Sequence, residues 1–143
     1  MDIQNTRVLV VDDEPIIRKS LNRTLTAAGY KCREASNGQE ALVLLHDVVF
    51  DLVLLDIGMP GMSGVELLPQ LKIYWPDTWV MMLTAIMDTS TAVRCMKSGA
   101  TDYLTKPFDC ENVLKAVKTY WKKEKRNSLR KNGNKDFTIR CAR

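Results

Sequence analysis

At 143 residues and 45% hydrophobic content, the chain is sized for one globular domain with a short appendage. No window approaches the roughly 18 uninterrupted apolar residues of a membrane span, and Met1-Asp2-Ile3-Gln4-Asn5 lacks the basic and apolar regions of a secretory signal. The net charge of +4 is unevenly placed, because residues 126–143 carry six Lys/Arg and one Asp, against 15 Lys/Arg and 16 Asp/Glu in residues 1–125.

The chain opens with a β-branched run, Val8-Leu9-Val10-Val11, that stops at Asp12-Asp13-Glu14-Pro15. A continuous apolar run suits a parallel strand covered on both faces. Pro15 starts a helix, where its missing N–H costs nothing. Ile16, Ile17, Leu21, Leu25 and Ala28 mark its apolar stripe, and Gly29 ends it. The half-polar stretch from Lys31 to Ala35 fits an edge strand. Asn37 with Glu40 three residues on has the capping-box pattern, followed by a helical face of Ala41, Leu42, Leu44 and Leu45.

A central strand runs from Asp51 to Leu55 and delivers Asp56 into a loop holding Gly58, Pro60, Gly61 and Gly64. Ser63 and Glu66 form a second capping-box pattern, and Val65, Leu67, Leu68 and Leu71 carry a helix to about Tyr74. Another apolar run, from Trp79 to Leu83, ends at Thr84-Ala85. Asp88 or Thr89 caps the next helix, which reaches Met96 and stops at Gly99. Asp102 to Thr105 is the last strand, and Lys106-Pro107-Phe108 a tight connection. Asp109 caps a final helix whose Val113, Leu114, Val117, Tyr120 and Trp121 share one face.

Five strands alternating with five helices predict a doubly wound α/β domain over residues 1–125. The following residues, 126–143, read as a basic tail or linker, poorly ordered by composition. Right-handed crossovers bring all strand carboxyl ends to one edge. In the flavodoxin-like order 2-1-3-4-5, Asp12, Asp13 and Asp56 meet at the switch point, with Thr84 and Lys106 from the neighbouring strands. Three close carboxylates repel, and a hard divalent cation such as Mg²⁺ resolves the repulsion. An ionised Asp with a cation and a lysine is a receiver for phosphoryl groups. Neither a P-loop nor a dinucleotide fingerprint follows the first strand.

Residues 6 to about 123 resemble the receiver domain of bacterial two-component response regulators. The resemblance rests on Val10-Val11-Asp12-Asp13-Glu14-Pro15, on Leu55-Asp56-Ile57-Gly58-Met59-Pro60-Gly61-Met62-Ser63-Gly64, on Leu83-Thr84-Ala85, on Gly99-Ala100-Thr101-Asp102-Tyr103-Leu104 and on Lys106-Pro107-Phe108. It implies that Asp56 is the phosphoacceptor, loaded by a sensor histidine kinase or phosphotransfer protein. It implies Mg²⁺ (or Mn²⁺) held by Asp13, Asp56 and the Gly58 carbonyl, with Asp12 acting mainly through water. Thr84 and Tyr103 correspond to the switch pair, Lys106 to the phosphate-pairing lysine, and the bond to Pro107 to a cis peptide.

The same resemblance makes Gly58 and Ile86 the residues that tune dephosphorylation, in opposite directions: Gly58 leaves room for an attacking water and Ile86 shields the site. Output passes through the face of helix 4, strand 5 and helix 5, which also serves homodimers. The sequence Asp109-Cys110-Glu111-Asn112 lacks the basic residue expected where dimers pair charges across the last helices. An output domain is expected outside this chain; a stand-alone phosphotransfer or adaptor receiver is the alternative. An aspartyl-phosphate hydrolase is disfavoured, since Asp56-Ile57-Gly58 lacks the second acid of an Asp-x-Asp nucleophile. Beyond self-phosphorylation and slow dephosphorylation, no turnover of an external substrate is expected.

Cys32, Cys95, Cys110 and Cys141 are scattered, with no Cys-x-x-Cys pair, as for free thiols in a reducing cytoplasm. His46 reads as solvated, and the methionines as core packing. The tail has one aromatic, Phe137, and no nucleic-acid motif. Neither a membrane nor a nucleic-acid contact through the receiver itself is expected.

Overall fold

A computed structural model describes residues 5–85, 89–106, 109–120 and 122. Its strands and helices alternate: β1 (Arg7–Val11), α1 (Pro15–Ala27), β2 (Lys31–Ala35), α2 (Gly38–Asp47), β3 (Leu52–Asp56), α3 (Gly64–Tyr74), β4 (Trp79–Ala85), α4 (Thr89–Lys97) and β5 (Asp102–Lys106). A fifth helix, α5, covers residues 110–120. The sheet has five strands in the order β2-β1-β3-β4-β5, all pairings parallel. This is the doubly wound flavodoxin-like arrangement expected from the element pattern, and it places the β1/β3 boundary at the topological switch point.

The apolar strand runs bury both faces. Leu9, Val11, Val53, Leu55 and Met82 pack with Ala41, Leu45, Leu67, Leu68, Leu71 and Cys95. Val8, Val10, Leu52, Leu54, Met81 and Leu83 pack on the other face with Leu21, Leu25, Val113 and Val117. Alternate residues of each strand thus serve opposite cores, which is why these runs show no polar alternation. At the lower edge Trp79 and Tyr120 stack with ring centroids 3.5 Å apart, tying β4 to α5.

Helix ends follow local chemistry, with two departures. Ser63 and Glu66 form the complete reciprocal box at α3. At α2, Asn37 accepts the Glu40 N–H at 2.8 Å, but the Glu40 carboxylate takes the Ser36 N–H and hydroxyl instead, both at 2.7 Å. The box expected there is therefore half formed, because Ser36 offers two donors at once. Ile16 is 82% exposed. It lies in the first turn of α1, off the four-residue line through Ile17, Leu21 and Leu25, so the apolar stripe starts at Ile17. Asp109 caps α5, accepting the Glu111 N–H at 3.1 Å.

No helix among the described residues is long and apolar enough to cross a membrane. Among the described residues, Cys32 and Cys110 are free thiols. Expectations resting on Ile86, the Pro107 peptide bond, Asp88, Trp121, Cys141 and residues 126–143 lie outside the described residues.

Candidate functional site

Five strand ends meet on one edge, and the acids arrive there by register. Val11, the last residue of β1, pairs with Leu55 of β3. One step further, Asp12 and Asp56 emerge side by side. Asp12 is completely buried and Asp56 is 5% exposed, while Asp13 is half-buried. Oxygens of Asp12, Asp13 and Asp56 lie within 4.8 Å of one another.

Lys106 reaches this cluster from the end of β5. Its Nζ lies 3.0 Å from Asp12 Oδ2 and 3.3 Å from Asp56 Oδ1. It also touches Glu14 Oε1, at 3.3 Å. Asp56 Oδ1 accepts the Gly58 N–H at 3.2 Å, and Asp12 Oδ1 accepts the Glu14 N–H at 2.9 Å.

Burial, the Asp12 charge and the nearby Asp13 push the Asp56 carboxyl up to about 6, against the pull of Lys106 and the Gly58 N–H. Burial pulls the Lys106 ammonium down, yet its carboxylate partners more than reverse this, so it stays firmly charged. One ammonium therefore faces an excess of negative charge. Asp12 Oδ2 is buried without an aligned hydrogen bond; its contact is the Lys106 charge. Three close carboxylates sharing one ammonium make an all-oxygen cluster that fits a hard divalent cation.

The loop after Asp56 is held by a close approach. A Cβ on Gly64 would overlap the Asp56 carbonyl oxygen and sit 2.9 Å from its carbon and 3.0 Å from Ile57 Cα. Only glycine lets the start of α3 press onto the end of β3. Gly61 has φ +75, the left-handed region that glycine adopts freely. Gly58 differs: it is exposed, its φ is not positive, and a Cβ there would meet nothing within 4 Å. Its bare backbone leaves that side of Asp56 open.

Thr84 is buried, one residue past Leu83, the register partner of Asp56. Tyr103 pairs with Met82, and Thr84 with Thr105. By alternation, Thr84 and Tyr103 share the sheet face covered by α4. Tyr103 is half-buried and packs against the core that includes Cys95 and Ala100. Asp12, Asp13, Asp56 and Lys106 are thus brought together; Thr84 and Tyr103 stand on adjacent strands beside them.

Two participants escaped the sequence reading. Arg18 donates to the Asp12 carbonyl at 2.8 Å and to Glu34 at 3.0 Å, with both side chains largely buried, clamping the end of β1 to the edge strand. Glu14 reaches Lys106. The sequence signal for Glu14 was present, a third acid directly after the pair; nothing local pointed to the Arg18–Glu34 pair.

An open parallel sheet with a carboxylate cluster and a lysine at its switch point defines a class of α/β domain built to receive an anionic group. The family model described as the response regulator receiver domain matches residues 8–118, and the chain belongs to that family. Among its relatives, the DNA-binding transcriptional regulator NtrC of Salmonella typhimurium is 38% identical over 135 residues, 92% of this chain and 29% of the relative. The transcriptional regulatory protein KdpE of Mycobacterium tuberculosis is 42% identical over 109 residues, 76% of this chain and 48% of that protein.

Two solved structures extend the comparison. The chemotaxis protein CheY4 of Vibrio cholerae has a TM-score of 0.76 at 33% identity, covering 80% of this chain and 98% of that one. NtrX of Brucella abortus, in a structure with ADP, has a TM-score of 0.83 at 30% identity, covering 87% of this chain and 29% of that one. The chain spans about a quarter of the length of the first relatives, 23% for AtoC of Escherichia coli and 29% for NtrC. Receiver domains of response regulators are phosphorylation-activated signalling switches. They bind Mg²⁺ at an acidic Asp cluster and work with histidine kinases and output domains.

Proposed function

We propose that Asp56 is the residue phosphorylated in this receiver, loaded from a phosphohistidine on a sensor kinase or phosphotransfer protein. The observation that carries this reading is the convergence of Lys106 on Asp12 and Asp56, at 3.0 and 3.3 Å, at the ends of β1, β3 and β5. An Asp56 oxygen attacks phosphorus, the phosphorus–nitrogen bond breaks with its electron pair going to the imidazole, and an acyl phosphate forms. Asp12, Asp13, Asp56 and the Gly58 carbonyl would hold Mg²⁺ (or Mn²⁺), which supplies neutralisation of charge on the phosphoryl oxygens. Lys106 gives a second counter-charge beside Asp56.

Thr84 and Tyr103 then carry the change outward. The Thr84 hydroxyl follows the new phosphoryl group, and Tyr103, on the same sheet face one strand away, turns inward behind it. This repacks the face of α4, β5 and α5, a two-state element biased by a local charge event. Val93 and Met96 of α4 are exposed apolar residues on that helix, which supports its use as a contact surface for an output domain or a second copy. Gly58 and Ile86 set the lifetime of the phosphorylated state. We place the receiver in residues 1–125 of a cytoplasmic regulator, with residues 126–143 leading toward an output domain, as the likeness to the longer NtrC supports. A stand-alone receiver is the second reading, supported by the likeness to CheY4, whose chain this fold nearly fills.

Incubation with acetyl phosphate and Mg²⁺ should add one phosphoryl group, read by intact mass, and chelation should abolish it. Asp56→Asn is expected to remain unlabelled. Equal labelling of that variant would place the phosphoacceptor elsewhere.

A further inference from the structure

Glu14 occupies the N-cap of α1, where short polar side chains usually accept a helix N–H. Its backbone serves that position: the N–H goes to Asp12 Oδ1 and the carbonyl accepts the Arg18 N–H. Its side chain makes no cap hydrogen bond. It extends instead across 92 residues of sequence to Lys106, where Oε1 accepts from Nζ at 3.3 Å. Asp12 and Asp56 already approach the same nitrogen from within the cluster. Glu14, with a 58% exposed side chain, approaches it from the solvent side.

Phosphorylation of Asp56 changes what this third acid faces. Before transfer, Lys106 is shared among three carboxylates. After transfer it must serve a phosphoryl group carrying more negative charge than the carboxylate it replaced. Glu14 both competes for the ammonium and adds an exposed negative charge beside it that repels an anion.

We propose that Glu14 is a specificity residue for the phosphodonor: acting through Lys106 and through its own charge, it sets the barrier to highly charged small donors. This inference rests on the assignment of Asp56. Exposed charges interact weakly and are screened by salt, so the effect is a modulation of rate.

The test compares acetyl phosphate, a dianion near neutrality, with phosphoramidate, which carries less net charge. In both cases Asp56 oxygen bonds to phosphorus as the bond to the leaving group breaks. Acetate departs with the electron pair in the first case, and ammonia, already protonated on nitrogen, in the second. At saturating Mg²⁺ and low salt, E14Q should raise the acetyl phosphate rate constant roughly three- to tenfold and the phosphoramidate rate constant less than about twofold. The difference should shrink at high salt, and E14D, which keeps the charge, should discriminate as the wild type does. In metal-free protein, the Lys106 ammonium protons, followed by ¹⁵N NMR, should exchange with water faster in E14Q.

Equal acceleration with both donors, or none, overturns the proposal, and so does unchanged ammonium exchange. D56N tells the role of Asp56 from that of Glu14. If it is labelled like the wild type, the assignment of Asp56 fails; if it is silent while E14Q treats both donors alike, only the role of Glu14 fails.

Discussion

Glu34 shows how one side chain on an edge strand can position a site it never touches. Burial pushes its carboxyl up, but hydrogen bonds from Asn22, Lys19 and Arg18, with the Lys19 charge, leave it below its ordinary value. A carboxyl lowered in the fold contributes stability above its unfolded pKa, and that contribution is lost as pH falls through the folded value. Glu34→Gln should cost about 1–2 kcal/mol at pH 7, and the gap between variant and wild type should narrow as pH falls below the ordinary glutamate value of about 4.3. Urea unfolding at pH 7 and at the lowest pH where both fold would check this; a gap independent of pH would remove the ionic account.

Gly64 acts on the neighbouring strand end, that of β3. Because a Cβ there collides with backbone at Asp56 and Ile57, the α3 N-terminus must retreat in Gly64→Ala. The expected result is destabilisation by about 2 kcal/mol or more and a fall of at least about tenfold in the labelling rate, since small displacements of reacting groups carry large penalties. Gly58→Ala, where no atom obstructs the methyl, should leave stability within about 0.5 kcal/mol of wild type. Similar stability losses at the two positions would contradict the packing argument.

At the scale of elements, α3 is the helix most exposed to a conflict between local preference and context. It carries Pro69 in its interior, which removes one backbone hydrogen bond and crowds the preceding turn. The complete Ser63–Glu66 box and the burial of Leu67, Leu68 and Leu71 hold it in place nonetheless. Relief of that conflict in Pro69→Ala should stabilise the protein by about 1–2 kcal/mol, less than the full helix penalty because the unfolded chain gains freedom as well. A loss of stability in thermal and urea unfolding would show that the ring contributes packing that the helix needs.

For the molecule as a whole, the core residues among those described lie between Val8 and Tyr120, in two clusters. The sheet separates them, and the two helices that cover its second face, α1 and α5, come from opposite ends of the fold. Folding therefore requires residues near both ends of this unit, while residues 126–143 read from composition as a polar, basic tail. A chain ending at Lys125 should unfold within about 3 °C of the full chain, a shift below that expected for 1 kcal/mol in a domain of this size. Its labelling by acetyl phosphate should be unchanged. A drop well beyond that range would extend the folded unit past Lys125.

The amino-acid sequence by itself determined the order and the approximate ends of the elements. Continuous apolar runs such as Val8-Leu9-Val10-Val11 have one comfortable place, a parallel strand between two layers of helices, and the flanking Gly, Pro and capping residues mark where each helix starts or stops. Those are short-range signals. The acids at the strand ends were legible for the same reason, since right-handed crossovers send every strand carboxyl end to one edge. Only the tertiary structure decided which charges touch. Lys106 meets Glu14 across 92 residues, and Arg18 meets Glu34 across 16. It also showed that Gly64 is needed for the approach of two backbones while Gly58 stands in open space. Contacts of that kind depend on the register of neighbouring strands and the direction of individual side chains, and no local pattern encodes either.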